Sequence, residues 1–188
     1  MLSIFQSQPG SSLKGINKET FLNLKLSLDQ CILYTTEPNQ DLNESCALLV
    51  CTEAENTIVL NEIVFYLRRL MGQPSDPKRV ITVLQLINCI AFRAGAPFFE
   101  AIDNVKFVNK LKKLAKALRP QTGLAQNALV MLLEAIQRWT AVLIEMDRTT
   151  SPMPGNSKIQ NMHTALFHCH VIPNSKTVYL VEFQLLRA

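Results

Sequence analysis

Apolar residues recur at intervals of three and four positions from about Thr20 to Met146, which is the spacing of amphipathic helices. Stretches that contain proline, glycine or asparagine interrupt this spacing, so the pattern predicts several helices joined by short turns. The first helix begins at Thr20 and stops before Thr35. The others are predicted over about residues 42–52, 58–71, 77–94, 98–103, 105–118 and 124–146. The predicted fold class is all-α.

The predicted helix over residues 77–94 is apolar on most of its sides. Its apolar residues are Val80, Ile81, Val83, Leu84, Leu86, Ile87, Ile90 and Ala91. Asp76-Pro77 starts this helix, because proline is well tolerated at the first helical position, and Gly95 ends it. A helix that is apolar nearly all round is typical of a protein interior. We therefore expect it to be the buried centre of a solenoid-like bundle.

The helix over residues 42–52 has a single apolar stripe and one leucine outside it. The stripe consists of Leu42, Cys46, Leu49 and Val50. Leu48 lies about a third of a turn away from this stripe, since each residue advances the helix by about 100°. We therefore expect the stripe to be buried and Leu48 to be exposed.

The helix over residues 105–118 combines an apolar face with two rows of cations. The apolar face contains Phe107, Leu111, Leu114 and Leu118. The cationic rows are Lys106, Lys110 and Lys113, and Lys112, Lys116 and Arg119. Such rows suit an acidic peptide or a phosphoinositide headgroup, and they are equally typical of a solvated helix face.

The two ends of the chain lack the helical spacing. Residues 1–19 are polar and predict a flexible lead, and residues 20–148 form the predicted domain. Residues 149–188 are assigned to a linker and a tail, because Thr149–Ser157 is rich in proline, serine and threonine. The β-prone runs His168–Ile172 and Thr177–Phe183 predict either a short hairpin or a disordered tail.

Composition limits the classes of protein that fit. Hydrophobic residues make up 48% of the chain and charged residues 18%, which is typical of a globular protein. No apolar run is long enough to cross a bilayer, and the N-terminal residues lack a signal-peptide pattern, so a cytoplasmic protein with reduced cysteines is expected. The net charge of +4 suits an acidic partner without requiring a nucleic acid.

The sequence contains no arrangement typical of an enzyme or a metal site. A glycine-rich phosphate loop, a supported Ser-His-Asp set and the HExxH motif are all missing, so we expect no enzymatic activity and no cofactor. His163, His168, Cys169 and His170 lie close together in the chain. Adjacent strand residues point to opposite faces, and no second Cys/His pair has finger spacing, so no metal site is predicted.

Residues 20–147 resemble a VHS domain, the superhelical module of endosomal and Golgi sorting adaptors. The resemblance rests on four stretches in a fixed order. They are Arg68-Arg69 before a Pro-containing turn, Asp76-Pro77 followed by Val83-Leu84-Gln85-Leu86-Ile87-Asn88-Cys89, Phe98-Phe99 through Phe107-Val108-Asn109-Lys110-Leu111, and Leu132-Leu133-Glu134-Ala135-Ile136-Gln137-Arg138-Trp139. The resemblance implies a right-handed superhelix of about seven or eight helices.

It also implies a non-enzymatic adaptor in vesicle or endosomal protein sorting, peripheral on endosomal or Golgi membranes. Several VHS domains bind ubiquitin, or ubiquitinated cargo, through the second helix and the start of the fourth. The family's exposed tryptophan aligns with Glu44, or with Leu42 if the register shifts, and Leu48 and Ile81 align with aliphatic contact positions. Other members hold acidic-dileucine sorting signals with basic residues of their late helices.

Two alternatives stay open beside this interpretation. An ENTH- or ANTH-like module would share the superhelix and would bind a phosphoinositide membrane through the lysine-rich helix. A general helical scaffold would bind a protein helix or tail with no relation to sorting.

Overall fold

The computed structural model describes residues 18–35, 39–150 and 157–168. Within these ranges the chain forms eight α-helices and no strand, which confirms the all-α prediction for the described residues. The helices are α1 (Lys18–Ile32), α2 (Gln40–Cys51), α3 (Thr57–Leu70), α4 (Pro77–Ala94), α5 (Ala96–Ile102), α6 (Val105–Leu118), α7 (Leu124–Thr150) and α8 (Lys158–His168).

Four of these helices begin at an asparagine or aspartate side chain that caps the first turn. In each case the side-chain oxygen accepts a hydrogen bond from the backbone N–H three residues further on, which satisfies a donor that the helix itself leaves unpaired. The capping residues of α2, α3, α4 and α6 are Asn39, Asn56, Asp76 and Asn104. These caps explain why the observed helix starts lie within two residues of the predicted ones.

Helix α4 is the centre of the fold, as predicted. It packs against α1, α2, α3, α5 and α7. Seven of its eight predicted core residues are fully buried, and the eighth, Ile81, is half-buried at the edge of the core. Because it packs against all of these helices, α4 fixes the positions of α2, α3 and α7, which contribute to the candidate sites.

The inner faces of α6 and α7 meet around a buried tryptophan. Trp139 of α7 is fully buried, and its indole ring lies 6.2 Å from the ring of Phe107 in α6, measured between centroids. The indole N–H donates a hydrogen bond of 2.8 Å to Asn88 Oδ1 in α4. The predicted apolar face of α6 is buried along its whole length. Its cations are therefore left on the opposite side.

The C-terminal part of the described chain differs from the sequence prediction. Helix α7 continues to Thr150, and α8 lies in the range that we assigned to a linker and a tail. Ile159 and Met162 of α8 are fully buried, because α8 packs against α6 and α7. The run predicted as strand from His168 starts at the last residue of α8, and the rest of the predicted hairpin lies outside the described residues.

Asp103, in the turn between α5 and α6, holds the start of α8. Its carboxylate accepts hydrogen bonds from Ser157 Oγ at 3.1 Å, from the backbone N–H of Lys158 at 3.1 Å and from that of Ile159 at 2.7 Å. A carboxylate at this place caps the helix and interacts favourably with the positive end of its dipole. A residue more than fifty positions away in the sequence thus adds to the cap that Ser157 Oγ provides to the backbone N–H of Gln160.

Candidate functional site

The lysine-rich face of α6 is exposed along most of its length. Lys106, Lys113, Lys116 and Arg119 are exposed, whereas Lys110 and Lys112 are half-buried. The structure therefore places both predicted cationic rows at the surface, on the side of α6 away from α7 and the core.

A groove lies between α3 and the start of α6, with a volume of about 440 Å³. We refer to it as the α3–α6 groove. It is lined by Asn61, Glu62, Val64, Phe65, Arg68, Asn104, Val105 and Lys106. Of these residues, the sequence analysis assigned a binding role to Lys106 alone. Arg68 and Phe65 join it because α3 and α6 pack side by side.

The α3–α6 groove combines positive charge with exposed apolar surface. Phe65 and Val105 are 42% and 55% exposed. The guanidinium of Arg68 lies 4.9 Å from the centre of the Phe65 ring, and that of Arg69 lies 5.9 Å from it. These distances suit cation–π contacts, which hold the arginines over the ring. The groove therefore offers cations beside an accessible aromatic surface.

Lys110 connects the cationic face of α6 to the turn after α3. Its Nζ donates a hydrogen bond of 2.6 Å to the backbone carbonyl of Gly72. Burial lowers the pKa of Lys110 below the ordinary lysine value, and the positive charges of Arg68 and Lys113 lower it further. Lys110 is thus engaged within the protein, and Lys106 and Arg68 are the cations that reach the groove.

The predicted ubiquitin-binding positions occupy a different face, on α2 and α4. Leu48 is 54% exposed, as expected, whereas Leu42 and Ile81 are half-buried and pack against the core. Glu44 Oε2 accepts a hydrogen bond of 2.6 Å from Arg93, and its Oε1 accepts one of 2.9 Å from Gln40. The bond from Gln40, together with the charge of Arg93, lowers the pKa of Glu44 below the ordinary glutamate value.

The prediction that Leu49 is buried was wrong. Leu49 is exposed beside Leu48, and the buried stripe of α2 consists of Asn43, Cys46, Ala47 and Val50. These four positions follow the spacing 0, 3, 4 and 7 and face α4, which is the main neighbour of α2. Small residues at Cys46 and Ala47 let the two helices approach closely, and the leucines are turned outward as a result.

A second groove, of about 400 Å³, lies where α2, α4 and α7 meet. We refer to it as the α2–α4 groove. It is lined by Gln40, Asn43, Glu44, Gln85, Asn88, Cys89, Phe92, Arg93 and Arg138. Most of these side chains are polar, and the ion pair between Glu44 and Arg93 joins α2 to α4 across it. The sequence analysis assigned a binding role to Glu44 alone from this set, and for a different reason.

The part of the chain that the structure describes has no group of three or more metal-ligating side chains. None of its helices combines the length and the apolar character needed to span a membrane. Of the predicted histidine and cysteine cluster, Cys169 and His170 lie outside the described residues.

The sequence matches no protein-family model and no curated protein. The resemblance to VHS domains therefore stays a prediction that rests on its four matching stretches. The geometry of the two grooves is the physical basis on which a function can be proposed.

Proposed function

We propose that this chain is a non-enzymatic adaptor module of vesicle or endosomal protein sorting, with the right-handed superhelical arrangement of VHS domains. Its ligand would be an acidic sorting signal, bound in the α3–α6 groove at the start of α6. The observation that carries this proposal is the α3–α6 groove, where Arg68 and Lys106 flank the exposed side chains of Phe65 and Val105.

An acidic peptide fits this groove better than a phosphoinositide headgroup does. The carboxylates of an acidic-dileucine signal would meet Arg68 and Lys106, and its leucines would cover apolar surface that is now exposed. A headgroup would make no use of Phe65 or Val105. Lys110, bonded to Gly72, is less available to a phosphate.

A weak interaction of this kind is strengthened when several copies of the signal lie close together on a membrane. The proposal therefore places the module in the cytoplasm, peripheral on endosomal or Golgi membranes. An ENTH- or ANTH-like phosphoinositide module and a general helical scaffold are the alternatives that the experiment separates.

The experiment is fluorescence anisotropy of the full chain with a labelled acidic-dileucine peptide, in parallel with sedimentation of phosphoinositide-containing liposomes. Arg68→Gln and Lys106→Gln should each weaken peptide binding about fivefold, which corresponds to roughly 1 kcal/mol for a partly exposed charge contact. Lys116→Gln is the matched control, since Lys116 is an exposed cation of α6 that does not line the groove. Liposome binding without peptide binding would instead favour the phosphoinositide module. If the chain binds neither the peptide nor the liposomes, the general helical scaffold is favoured.

A second candidate ligand is ubiquitin, because Leu48 and Leu49 form an exposed apolar pair on α2. In the alignment with VHS domains the family's tryptophan falls at Glu44, or at Leu42 if the register shifts. The bonds of Glu44 to Arg93 and Gln40 make it a polar position. An interface would therefore depend on Leu48. Leu48→Ala should abolish the chemical-shift changes that ubiquitin causes in α2, whereas Leu22→Ala, at an equally exposed leucine of α1, should not.

A further inference from the structure

The α3–α6 groove contains a negative charge beside its positive ones. Glu62 lines the groove together with Arg68 and Lys106, and its side chain is half-buried. The ion pairs of the described residues join other side chains and leave Glu62 without one. A partly buried carboxylate attracts a positively charged group more strongly than a fully solvated carboxylate does. Glu62 is therefore a candidate contact for a cation of the ligand.

Glu62 and Arg68 lie toward opposite ends of the groove. They are six residues apart on α3, which corresponds to about 9 Å along the helix axis, and Phe65 lies between them. Helix α6 adds positive charge near Arg68, because Lys110 Nζ donates to the carbonyl of Gly72, just beyond the end of α3. A ligand that brings its acidic groups to Arg68 therefore reaches Glu62 with residues further along its chain.

The surface around Glu62 suits a long cationic side chain. Ile58 precedes Glu62 by four residues, so both lie on the same face of α3, and Ile58 is 49% exposed. Lysine and arginine cover apolar surface with their methylene groups and keep the charged end free. A basic residue of the ligand can therefore place its methylene groups against Ile58 and its charge at Glu62. A glutamate at the same position of the ligand would bring two carboxylates together.

We infer that the α3–α6 groove prefers acidic-dileucine signals in which a lysine or arginine follows the leucines. The acids contact Arg68, the leucines cover Phe65 and Val105, and the basic residue pairs with Glu62. This inference rests on the proposed function and adds to it a charge requirement after the leucines. Glu62 is thus a specificity-determining residue of the groove.

The experiment is fluorescence anisotropy of the full chain with four labelled peptides. Three of them share one acidic-dileucine sequence and differ only in the residue after the leucines, which is lysine, glutamine or glutamate. The fourth has the composition of the lysine peptide, but its lysine stands in front of the acids. All four are measured at the same ionic strength, because salt weakens contacts between exposed charges.

We expect the lysine peptide to bind about threefold more tightly than the glutamine peptide, which is the effect of one partly exposed charge pair. The glutamate peptide should bind about threefold more weakly than the glutamine peptide, since two like charges then meet. The fourth peptide should bind no more tightly than the glutamine peptide, because its lysine lies at the Arg68 end of the groove. This last comparison separates the position of the charge from the net charge of the peptide.

Variants show which residue of the groove causes the preference. Glu62→Gln should lose the preference for lysine over glutamine, and Glu62→Lys should bind the glutamate peptide more tightly than the lysine peptide. Glu100→Gln is the matched control, because Glu100 is an exposed acid of α5 outside the groove, and it should keep the lysine preference. Thermal melting checks that the variants are folded, and the peptide series on the unchanged chain does not depend on them.

The outcomes separate this inference from the proposed function. Equal binding of the lysine, glutamine and glutamate peptides would overturn the inference and leave the proposed function standing. A lysine preference that persists in Glu62→Gln would overturn it as well, since another group would then contact the lysine. If none of the four peptides binds, the proposed function is wrong, and so is the inference that rests on it.

Discussion

Removal of the Asp103 carboxylate should release α8 from the rest of the fold. This carboxylate accepts three hydrogen bonds from the first residues of α8 and the residue before them. Asp103→Ala leaves the backbone N–H groups of Lys158 and Ile159 without an acceptor in the protein. Loss of a helix N-cap costs about 0.5–2 kcal/mol, and a hydrogen bond to a charged group contributes about 1.5–3 kcal/mol. We expect a loss of about 2 kcal/mol in the docking of α8, because water replaces part of what is lost.

Hydrogen exchange measures this local effect directly. A loss of about 2 kcal/mol corresponds to roughly a 30-fold increase in the open population of α8, so its protected amides should exchange about 30 times faster. Amides of α4 should change far less, since α4 packs against five other helices. Asp103→Asn keeps one acceptor oxygen and should give an intermediate value. Glu100→Ala is the control, because Glu100 is an exposed acid on the neighbouring α5.

One result would refute this reasoning. If α8 keeps its full protection in Asp103→Ala, its docking depends on the buried side chains of Ile159 and Met162, and the cap adds nothing. Ile159→Ala would then be the change that releases α8, with a cost of about 2–5 kcal/mol for the cavity.

Three further changes test other parts of the fold by urea unfolding. The Tyr66 hydroxyl donates to Asp29 Oδ1 at 2.6 Å, and burial followed by this bond raises the pKa of Tyr66 above the ordinary tyrosine value. The stability that the protonated Tyr66 hydroxyl contributes is therefore complete below about pH 10 and is lost as the pH rises further. Tyr66→Phe should lower the free energy of unfolding by about 1 kcal/mol at pH 7, and the variant should lose less stability at alkaline pH than the unchanged chain does. Trp139→Phe should cost about 2–4 kcal/mol, because it leaves a cavity and deprives Asn88 of its donor. Gly95→Ala should cost about 1–3 kcal/mol although nothing lies within 4 Å of the added Cβ, because φ is +66° and ψ is −146°.

Much of the helical framework could be predicted from the sequence, because a helix with one buried face has apolar residues at regular intervals. The residues of α4 and the apolar face of α6 are examples, since each helix must cover a continuous surface. The starts of α2 and α4 could also be predicted, because Asn39 and Asp76 act on amides three positions away. Local chemistry of this kind depends on neighbouring residues alone.

The features that the sequence did not predict depend on contacts between distant residues. Leu49 is exposed because α2 presents its small residues to α4, and no pattern within α2 tells which of two overlapping stripes α4 will cover. Helix α8 buries only Ile159 and Met162 among its described side chains, and the distant Asp103 adds to the local cap that Ser157 Oγ provides to the backbone N–H of Gln160. Its sequence alone therefore gives a weak helical signal.

In the candidate sites too, features within one helix could be predicted and contacts between helices could not. The cations of α6 could be found in the sequence because they repeat along one helix, whereas the α3–α6 groove needs Arg68 and Phe65 from another helix. The α2–α4 groove likewise needs side chains from α2, α4 and α7. A row of charges on one helix is visible in the sequence, whereas a groove formed by several helices is not.

The division of α6 into two faces makes the functional proposals testable by mutation. Its buried residues hold the helix against α7 and α8, and its exposed cations contribute little to that packing. Replacing an exposed charge such as Lys106 should change stability by less than about 0.5 kcal/mol, which is typical of surface substitutions. A loss of peptide binding in Lys106→Gln would therefore report on recognition and not on folding. A variant of Lys110 would not separate recognition from folding. Its bond to Gly72 connects α6 to the turn after α3, so the substitution would change both peptide binding and stability.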